Sequence, residues 1–407
     1  MSAPSTPRPC PVCDSVGARE VLHRQRFFGG PLGEGYDVAV CGDCGAGFAD
    51  GIPTQNELDH YYAERSKYTY AHAGGAESPY DFKRFAVIAD QIEAHLPSRD
   101  ARILDIGCAT GGLLAVLQQR GYTHLLGSDP SPACAEAARR LHGVEVRTAT
   151  LAEHAAWADR FDAVLLVGVL EHLREVRDAL RTVRALLSPG GVVYCAQPDV
   201  EAFAACENAP YQQFSTEHLN YFSNPSLARL MEAVGLVEAT SWRWMIAWRA
   251  GVTDSVVSGV YRAPSVGSAG MARGHQDESL RQSFRRDTVT RPALAAYLAR
   301  CEAEDAALRR VIDALVVSGE PILVWGTGTL TRRLLATGAL EAVEVRAYVD
   351  SDSAGAPRTF AGRPVLAPAD LVHRSETIFV ASRPFADEIV SKIRNELGLK
   401  NRVVLVP

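Results

Sequence analysis

The sequence contains no run of about 18 apolar residues that would span a membrane. Its beginning, MSAPSTPRPC, has no basic-then-apolar signal region. It also has no strong excess of one charge, because 42 Lys and Arg stand against 48 Asp and Glu, a net charge of −6 without long runs of one sign. These absences speak against membrane and nucleic-acid partners and against disorder. We therefore expect a cytoplasmic protein that acts on a small-molecule substrate.

The chain of 407 residues is too long for one ordinary core, since domains average about 150 residues. Its pattern predicts an N-terminal lobe at residues 1–60 and an α/β core at 61–248. A linker and a bridging helix follow at 249–318, and a second α/β domain occupies 319–407. The oligomeric state is left open.

The nine cysteines do not form a secreted disulfide pattern in this acidic chain of several domains. Four of them occur early, as the pairs CPVC and CGDC, and the scattered others fit small buried hydrophobic residues. The C-x-x-C spacing lets two thiolates on one tight turn reach the same ion, which predicts a closed, structural zinc site. The alternative is two unrelated pairs or a redox dithiol. The predicted ligands are Cys10, Cys13, Cys41 and Cys44.

The core opens with ILDIGCATGGLLAVLQQRGYTHLLGSDP, which reads as strand, glycine turn, helix and second strand. A glycine turn alone also fits NAD, FAD or tight packing. The acid that ends the first strand, Asp105, would repel a pyrophosphate bound at the following helix. It would attract the ammonium and sulfonium groups of S-adenosylmethionine, which the sequence therefore favours as the cofactor.

These residues resemble the class I S-adenosylmethionine-dependent methyltransferases, whose motif is acid-x-Gly-x-Gly-x-Gly. Asp105, Gly107 and Gly111 match it, and Ala109 replaces the middle glycine. The segments FDAVLLVGVLEHL, with a strand at 163–167, and LLSPGGVVYCAQPD look like the family's fourth and fifth strands. The resemblance implies a doubly wound α/β fold. It also implies further cofactor-binding residues, with Asp129 on the ribose hydroxyls and Pro130, Thr150 and Leu151 beside the nucleoside, although relatives often carry an aspartate in place of Thr150.

The stretch STEHLNYFS places Glu217, His218 and Tyr221 on a loop that follows a predicted strand. Loops at the carboxyl ends of strands surround the ligand in α/β sheets, so these side chains are candidates for catalysis. The alternative is structural: the polar groups would bind loop backbone and Tyr221 would fill the core. The following SNPSLARLMEAVG predicts a helix capped by Ser223 or Asn224.

The chain resembles the bacterial sugar C-methyltransferases of antibiotic pathways in the order of its parts. These are a cysteine-rich head, this core, EHLNYF and a further α/β domain. That resemblance implies a nucleotide-linked 4-keto sugar as substrate. It also implies that His218, beside Glu217, removes the proton next to the ketone, and that the enolate attacks the methyl group. Tyr221 or His172 would stabilise the enolate by hydrogen bonding. His172 in VLEHL has an alternative role as a helix cap.

One part of the motif departs from that family, which usually has tyrosine and histidine where this chain has Ser215 and Thr216. A simpler Glu-His site would also deprotonate a hydroxyl or an amine. O- or N-methylation of a sugar or a related intermediate is therefore the alternative reaction. Upstream, HYYAERSKYTY would either close over the cofactor or pack.

The last third contains the Gly- and Ser-rich stretch APSVGSAGMARGHQDES, read as a loop or connector, and a predicted helix at 291–317. PILVWGTGTL, VRAYVDSDSAG and TIFVASRP then repeat the order of strand, glycine turn, helix and acidic tip. Gly326 and Gly328 form the turn and Asp350 ends the next strand. This second Rossmann-like domain would hold the nucleotide of the substrate, serve only as a structural cap, or bind NAD(P) in an oxidoreductase.

Overall fold

The computed structural model describes residues 7–29, 32–64, 76–249, 252–263, 286–350 and 359–407. Most of the predicted connector, and the tyrosine-rich segment beyond residue 64, lie outside these residues. Contacts divide the chain into a first unit of residues 1–22, 38–203 and 217–294 and a second unit of residues 23–37, 204–216 and 295–407. The domain boundaries expected from the sequence remain a prediction.

The N-terminal part of the chain is built of short strands around two cysteine turns. The elements are β1 (Arg19–Arg26), β2 (Gly35–Cys41), β3 (Gly47–Asp50) and helix α1 (Gln55–Glu64). The backbone amide of Asp14 donates to Cys10 O at 2.8 Å, and that of Gly45 donates to Cys41 O at 3.0 Å. Each bond closes a tight turn, so both cysteines of each pair lie on one side of the chain.

The core alternates helices with buried strands, as the sequence predicts. Its elements are α2 (Pro79–Glu93), β4 (Arg102–Ile106), α3 (Gly112–Gln119), β5 (His124–Asp129), α4 (Pro132–His142), β6 (Val146–Thr148), β7 (Phe161–Val167), α5 (Val176–Ala185), β8 (Leu187–Pro198), β9 (Asn220–Tyr221), α6 (Asn224–Ala233), β10 (Val237–Arg249) and β11 (Val252–Arg262). The predicted strand at 163–167 is confirmed and begins at Phe161.

Seven of these strands form one sheet in the order β10-β11-β8-β7-β4-β5-β6. The strands from β4 to β8 run parallel, whereas β11 is antiparallel to both β8 and β10. The chain runs from β4 to β6 toward one edge and from β7 toward the other. A ligand crevice forms at the carboxyl ends of strands where the order reverses, which here is between β4 and β7. The predicted doubly wound core is thus confirmed.

Apolar residues cover both faces of this sheet, because helices pack on either side of parallel strands. In β7, Ala163, Val164, Leu165 and Leu166 are all buried. Helix α6 begins as predicted, with the Ser223 side chain accepting from the Ser226 amide. The two-residue strand β9 leaves the core and pairs antiparallel with β3, which continues a small sheet in the order β1-β2-β3-β9.

The second unit contains a further doubly wound sheet. The remaining elements are α7 (Thr290–Ser318), β12 (Ile322–Trp325), α8 (Thr329–Ala336), β13 (Val345–Val349), β14 (Thr359–Phe360), β15 (Arg363–Leu366), β16 (Thr377–Val380), α9 (Ala386–Ser391) and β17 (Val403–Leu405). The strand order is β14-β15-β13-β12-β16-β17, and β14 alone among them pairs antiparallel. The helix predicted at 291–317 is confirmed. Within the described ranges, no helix has the length and apolar character needed to cross a membrane.

Candidate active site

A cleft of about 910 Å³, partly open to solvent, lies in the first unit at the switch point of the seven-stranded sheet. Its walls come from α1 and from the loops that follow β4, β5, β6 and β7. The lining residues are Gln55, Asp59, Tyr62, Ile106, Gly107, Asp129, Pro130, Ala149, Thr150, Leu151, Gly168, Val169, His172, Leu173 and Glu217.

The glycine turn after β4 forms one wall of the cleft. Gly107 has φ +70°, and a Cβ there would lie 2.7 Å from Val169 Cγ2, so both the backbone conformation and the space require glycine. The carboxylate of Asp129 faces the turn, where its oxygens accept from the amides of Ala109 at 3.0 Å and Ser131 at 2.9 Å. These bonds fix the orientation of Asp129 at the cleft, next to Pro130.

Asp105 and Gly111 support this wall and are not among the residues that line the cleft. Asp105 is 3% exposed on β4, and burial, together with the charge of Asp129, raises its pKa to about 8. Gly111 caps α3 with φ +84°, where a Cβ would lie 2.7 Å from Val144 Cγ2. A carboxyl group with a pKa near neutrality is ready to ionise when a cation approaches.

The loop after β6 carries Thr150 and Leu151 into the cleft. The amide and hydroxyl of Thr150 donate to Glu153 Oε2 at 2.6 and 2.9 Å, and its carbonyl lies 2.7 Å from His154 Nδ1. Leu151 packs against the hydrophobic core. Thr150 is therefore held at the cleft by its own loop.

In the same cleft, the imidazole of His172 lies close to the backbone of Glu217. His172 Nδ1 lies 2.9 Å from the carbonyl oxygen of Glu217 and 3.1 Å from the hydroxyl of Tyr62. A carbonyl only accepts hydrogen bonds, so the neutral imidazole carries its proton on Nδ1 and its lone pair on Nε2. The hydroxyl of Tyr61 donates to Glu217 Oε1 at 2.7 Å. Both loops are thus joined to helix α1.

His218 lies next to His172, with ring centroids 5.3 Å apart at an interplanar angle of 67°. His172 Nε2 is 3.9 Å from a carboxylate oxygen of Glu171, which is buried. The ligand atoms of Glu171, His172 and His218 all lie within 4.8 Å of one another. This cluster is able to hold a proton or a cation beside the cleft.

Tyr221 is placed differently from the other predicted catalytic residues. It lies on β9, is 1% exposed, and its ring meets that of Phe203 edge-on at 6.4 Å. The structure brings together His172, Glu217 and His218, of which His172 and Glu217 line the cleft; neither His218 nor Tyr221 is among the lining residues. Its role as a hydrogen-bond donor to the acceptor stays a prediction.

Helix α1 supplies residues that sequence reasoning did not assign. Gln55, Asp59 and Tyr62 line the cleft, and Tyr61 binds Glu217. The spacing i, i+4, i+7 of the first three places them on one helix face, and this polar stripe was the available signal. The tyrosine-rich segment was predicted to cover the cofactor or to pack, and its described part contacts the predicted acid-base residues.

The four paired cysteines form a separate cluster in the first unit, with every Sγ within 4.8 Å of the others. Cys10 Sγ lies 3.6 Å from Cys44 Sγ, and Cys13 Sγ lies 3.7 Å from Cys41 Sγ. Four thiolates at about 2.3 Å from a tetrahedral zinc ion are separated by about 3.8 Å. The donor set and its spacing therefore fit zinc, with no ligand position left for a substrate.

Residues 80–239 match the family model described as a methyltransferase domain. The ubiquinone biosynthesis O-methyltransferase of Cereibacter sphaeroides is 37% identical over 111 residues, covering 26% of this chain and 44% of that protein. The protein of the same name from Rhizobium etli is 31% identical over 157 residues, covering 35% of this chain and 62% of that protein. The chain thus spans about half the length of these curated relatives.

Among solved structures, the 1,6-didemethyltoxoflavin-N1-methyltransferase of Burkholderia thailandensis is 19% identical to this chain. It covers 55% of this chain and 98% of its own, with a TM-score of 0.40. The core of this chain is thus similar to methyltransferase domains over residues 80–239.

Proposed function

We propose that this protein transfers the methyl group of S-adenosylmethionine to a small molecule that first loses a proton in the cleft. One observation carries the proposal: Gly107, Asp129 and Thr150 line the same cleft as His172 and Glu217. A binding surface for a nucleoside and an acid-base pair therefore face one space. Proximity of donor and acceptor is the main requirement for a displacement reaction.

The residues of the cleft suit distinct tasks. Asp129, oriented by the amides of Ala109 and Ser131, would accept the ribose hydroxyls. Asp105 would ionise beside the positive charge of the bound cofactor, since its buried carboxyl already has a raised pKa of about 8. Bound S-adenosylmethionine supplies an electrophilic methyl group, whose carbon–sulfur bond breaks as the bond to the acceptor forms.

His218 would remove the proton of the acceptor, and His172 is the second candidate for this base because it lines the cleft. An unperturbed imidazole has a pKa of about 6.5 and is largely unprotonated at neutral pH. The electron pair freed by proton removal attacks the methyl carbon, and the proton stays on the imidazole. Tyr62 lines the same cleft, where its hydroxyl would donate a hydrogen bond to the developing oxyanion.

For the acceptor we propose the carbon next to the ketone of a nucleotide-linked sugar from a bacterial secondary-metabolite pathway. The order of parts supports it: a cysteine cluster that fits zinc, a methyltransferase core and a second doubly wound sheet. That sheet would contact the nucleotide. Zinc, held by the four thiolates, would stabilise the fold.

The second candidate is methylation of a hydroxyl group. Two curated relatives of the core are named as O-methyltransferases, which favours an oxygen acceptor. In addition, Ser215 and Thr216 replace two aromatic polar residues that the sugar C-methyltransferases usually carry. The same base would then ionise an alcohol or a phenol.

Mass spectrometry of the purified protein tests the cofactor first. Bound S-adenosylhomocysteine is the expected finding, and a bound nicotinamide dinucleotide would overturn the proposal. Candidate keto sugars are then incubated in deuterium oxide without methyl donor. Deuterium appearing next to the carbonyl supports carbon methylation, whereas methyl transfer to a hydroxyl without such exchange supports the second candidate.

The base is tested with His218→Ala and His172→Ala, and with His373→Ala in the second unit as a control. His373 is exposed. General-base catalysis contributes about 10²- to 10⁴-fold, so kcat should fall by that factor for the true base while S-adenosylmethionine still binds. Unchanged turnover in His218→Ala together with a loss in His172→Ala would move the base to His172.

A further inference from the structure

The loop with Glu171 and His172 and the loop with Glu217 and His218 are joined through one buried amide. Asn220, the first residue of β9, is 3% exposed. Its Nδ2 donates to the carbonyl of Leu170 at 2.7 Å and to that of Leu173 at 2.8 Å. These two carbonyls lie on either side of Glu171 and His172, so one side chain sets the path of the acid-base loop.

Arg8, a buried residue of the N-terminal lobe that is 2% exposed, forms hydrogen bonds to both loops. One guanidinium nitrogen donates to Asn220 Oδ1 at 2.7 Å and to the carbonyl of Leu219 at 2.7 Å. The other lies 3.2 Å from the carbonyl of Arg174. A planar guanidinium can serve several acceptors in fixed directions, which suits it to joining two loops. The Leu219 amide also donates directly to the carbonyl of Glu171 at 2.6 Å.

Arg8 is itself held by the part of the chain that carries the cysteine cluster. It precedes Cys10 by two residues, its amide donates to Asp50 Oδ1 at 3.0 Å, and its guanidinium lies 5.3 Å from the ring centre of Phe48. Asp50 is fixed in turn by Arg19 at 2.6 Å. The position of the guanidinium thus depends on the folded cysteine lobe.

We propose that Arg8 and Asn220 are positioning residues that hold His172 and Glu217 in register, and that through them the cysteine lobe supports the acid-base site. This inference rests on the proposed methyl transfer. It assigns the lobe a role in turnover although its closed metal site would not touch the substrate. Because a misplacement of about 1 Å can reduce a rate by about 100-fold, loss of the connection should lower kcat by about that factor. S-Adenosylmethionine affinity should change little, since the amides that orient Asp129 belong to Ala109 and Ser131, which are not part of this connection.

The test uses Asn220→Asp in the full chain. Aspartate keeps the shape and the acceptor for Arg8, but it replaces the donor to Leu170 and Leu173 with an oxygen that repels both carbonyls. Asn401 provides a matched control in the second unit. Its Nδ2 likewise donates to two carbonyls, those of Arg374 at 3.0 Å and Glu376 at 2.8 Å, and the residue is 7% exposed. We expect about 100-fold lower kcat in Asn220→Asp with S-adenosylmethionine affinity retained, and about unchanged kcat in Asn401→Asp, at comparable losses of melting temperature.

A second measurement needs no acceptor. Nitrogen-15 NMR of the imidazoles should report the Nδ1-protonated form of His172 in the parent chain, because Nδ1 faces the carbonyl of Glu217. Asn220→Asp should redistribute this tautomer, and Asn401→Asp should not. If no acceptor is methylated by the parent chain, the proposed function fails while this measurement still decides the positioning role.

The inference is overturned if Asn220→Asp retains both kcat and the His172 tautomer, or if Asn401→Asp lowers kcat equally. Should Asn220→Asp not fold, Arg8→Lys takes its place. Lysine keeps the buried cation but cannot reproduce the fork that serves Leu219, Asn220 and Arg174 together. In Arg8→Lys we expect the same loss of kcat and the same change of the His172 tautomer. If neither occurs, the inference is overturned.

Discussion

The two doubly wound sheets begin with nearly the same peptide, ILDIG in β4 and ILVWG in β12, yet they present different chemistry. Asp105 stands two residues before the first glycine, and Val324 stands at the same place in the second sheet. Around Gly107 the space is closed by Val169, whereas the nearest atom to a Cβ on Gly326 would be 3.6 Å away. The same backbone pattern therefore carries a buried acid in one sheet, where we propose a cation site, and an apolar residue at this position in the other.

The aspartates at the ends of the corresponding strands, Asp129 in the first sheet and Asp350 in the second, also differ in their hydrogen bonds. In the first sheet both oxygens of Asp129 accept backbone amides at the edge of the cleft. In the second sheet Asp350 accepts the hydroxyl of Thr327, from its own glycine turn, at 2.6 Å. A fold alone does not establish a ligand, and here the side chains at matched positions separate the two sheets.

Removal of metal should produce the largest difference between the two units. Zinc binding by structural cysteine sites contributes about 10–16 kcal/mol to folding in small domains. A strong chelator should therefore expose β2 and β3 to hydrogen exchange while β12, β13 and β16 keep their protection. Mass spectrometry of peptides after exchange measures this, and added zinc should restore the protection. Equal loss in both sheets, or none in β2 and β3, would refute a metal-dependent lobe.

Replacement of the strand-end acid should have the next largest effect. Asp105→Asn keeps the shape but removes the charge that would face the cation of S-adenosylmethionine. Bonds to charged groups contribute about 1.5–3 kcal/mol, so affinity should fall about 10- to 100-fold by calorimetry. Asp350→Asn in the second sheet is the matched control and should leave this affinity unchanged. A ligand that binds both variants like the parent chain would contradict the cation site.

The pH dependence of cofactor binding also tests the role of Asp105. Burial, followed by the charge of Asp129, raises the pKa of Asp105 to about 8, so at pH 7 the empty site holds mostly the neutral acid. A bound cation favours the carboxylate, and binding should release a proton; affinity should rise with pH until about pH 8 and then level off. Because the folded state holds this proton more tightly than the unfolded state, Asp105 reduces stability progressively as pH rises from about 4 to about 8.

Calorimetry at pH 7 in buffers of different ionisation enthalpy measures the released proton. The release should disappear in Asp105→Asn and persist in Asp350→Asn. Proton uptake on binding, or a release that is the same in Asp105→Asn, would assign the linkage to another group.

The sequence predicted both sheets because buried parallel strands read as apolar runs ending in glycine or acid. Phe161–Val167 and Ile322–Trp325 are examples, and each is buried along nearly its whole length. The cap of α6 was likewise readable, since Ser223 lies directly before the helical pattern. Local chemistry determines these features, and local chemistry is visible in one sequence.

The cleft was harder to predict because it joins residues that are far apart in the chain. Glu217 and His172 were named, but their contacts with Tyr61 and Tyr62 depend on how α1 packs. Tyr221 was named as a donor through the family resemblance, with packing in the core as the alternative, and it is buried on β9, which pairs with β3. Burial that depends on such a long-range strand pairing is not visible in the local sequence.

The smallest expected effect concerns one alanine in a left-handed conformation in each of the two units. Ala109 has φ +48°, in the left-handed region, at the place where the sequence motif has glycine, and Ala361 has φ +47° at the β14–β15 turn. This conformation costs a residue with a Cβ about 1–2 kcal/mol, while glycine adds about 0.5–1 kcal/mol of unfolded-state entropy. Ala109→Gly and Ala361→Gly should each stabilise the protein by about 0.5 kcal/mol in denaturant titrations.

An alanine inside a helix provides the comparison for Ala109→Gly. Ala115 lies inside α3, where glycine should destabilise by about 1 kcal/mol or more. Ala109→Gly should also leave cofactor affinity unchanged, because the amide that donates to Asp129 Oδ2 remains. A loss of stability in Ala109→Gly comparable to that in Ala115→Gly would show that the methyl group of Ala109 contributes packing that outweighs its strain. In that case the alanine in the turn would be a stabilising feature of the first sheet.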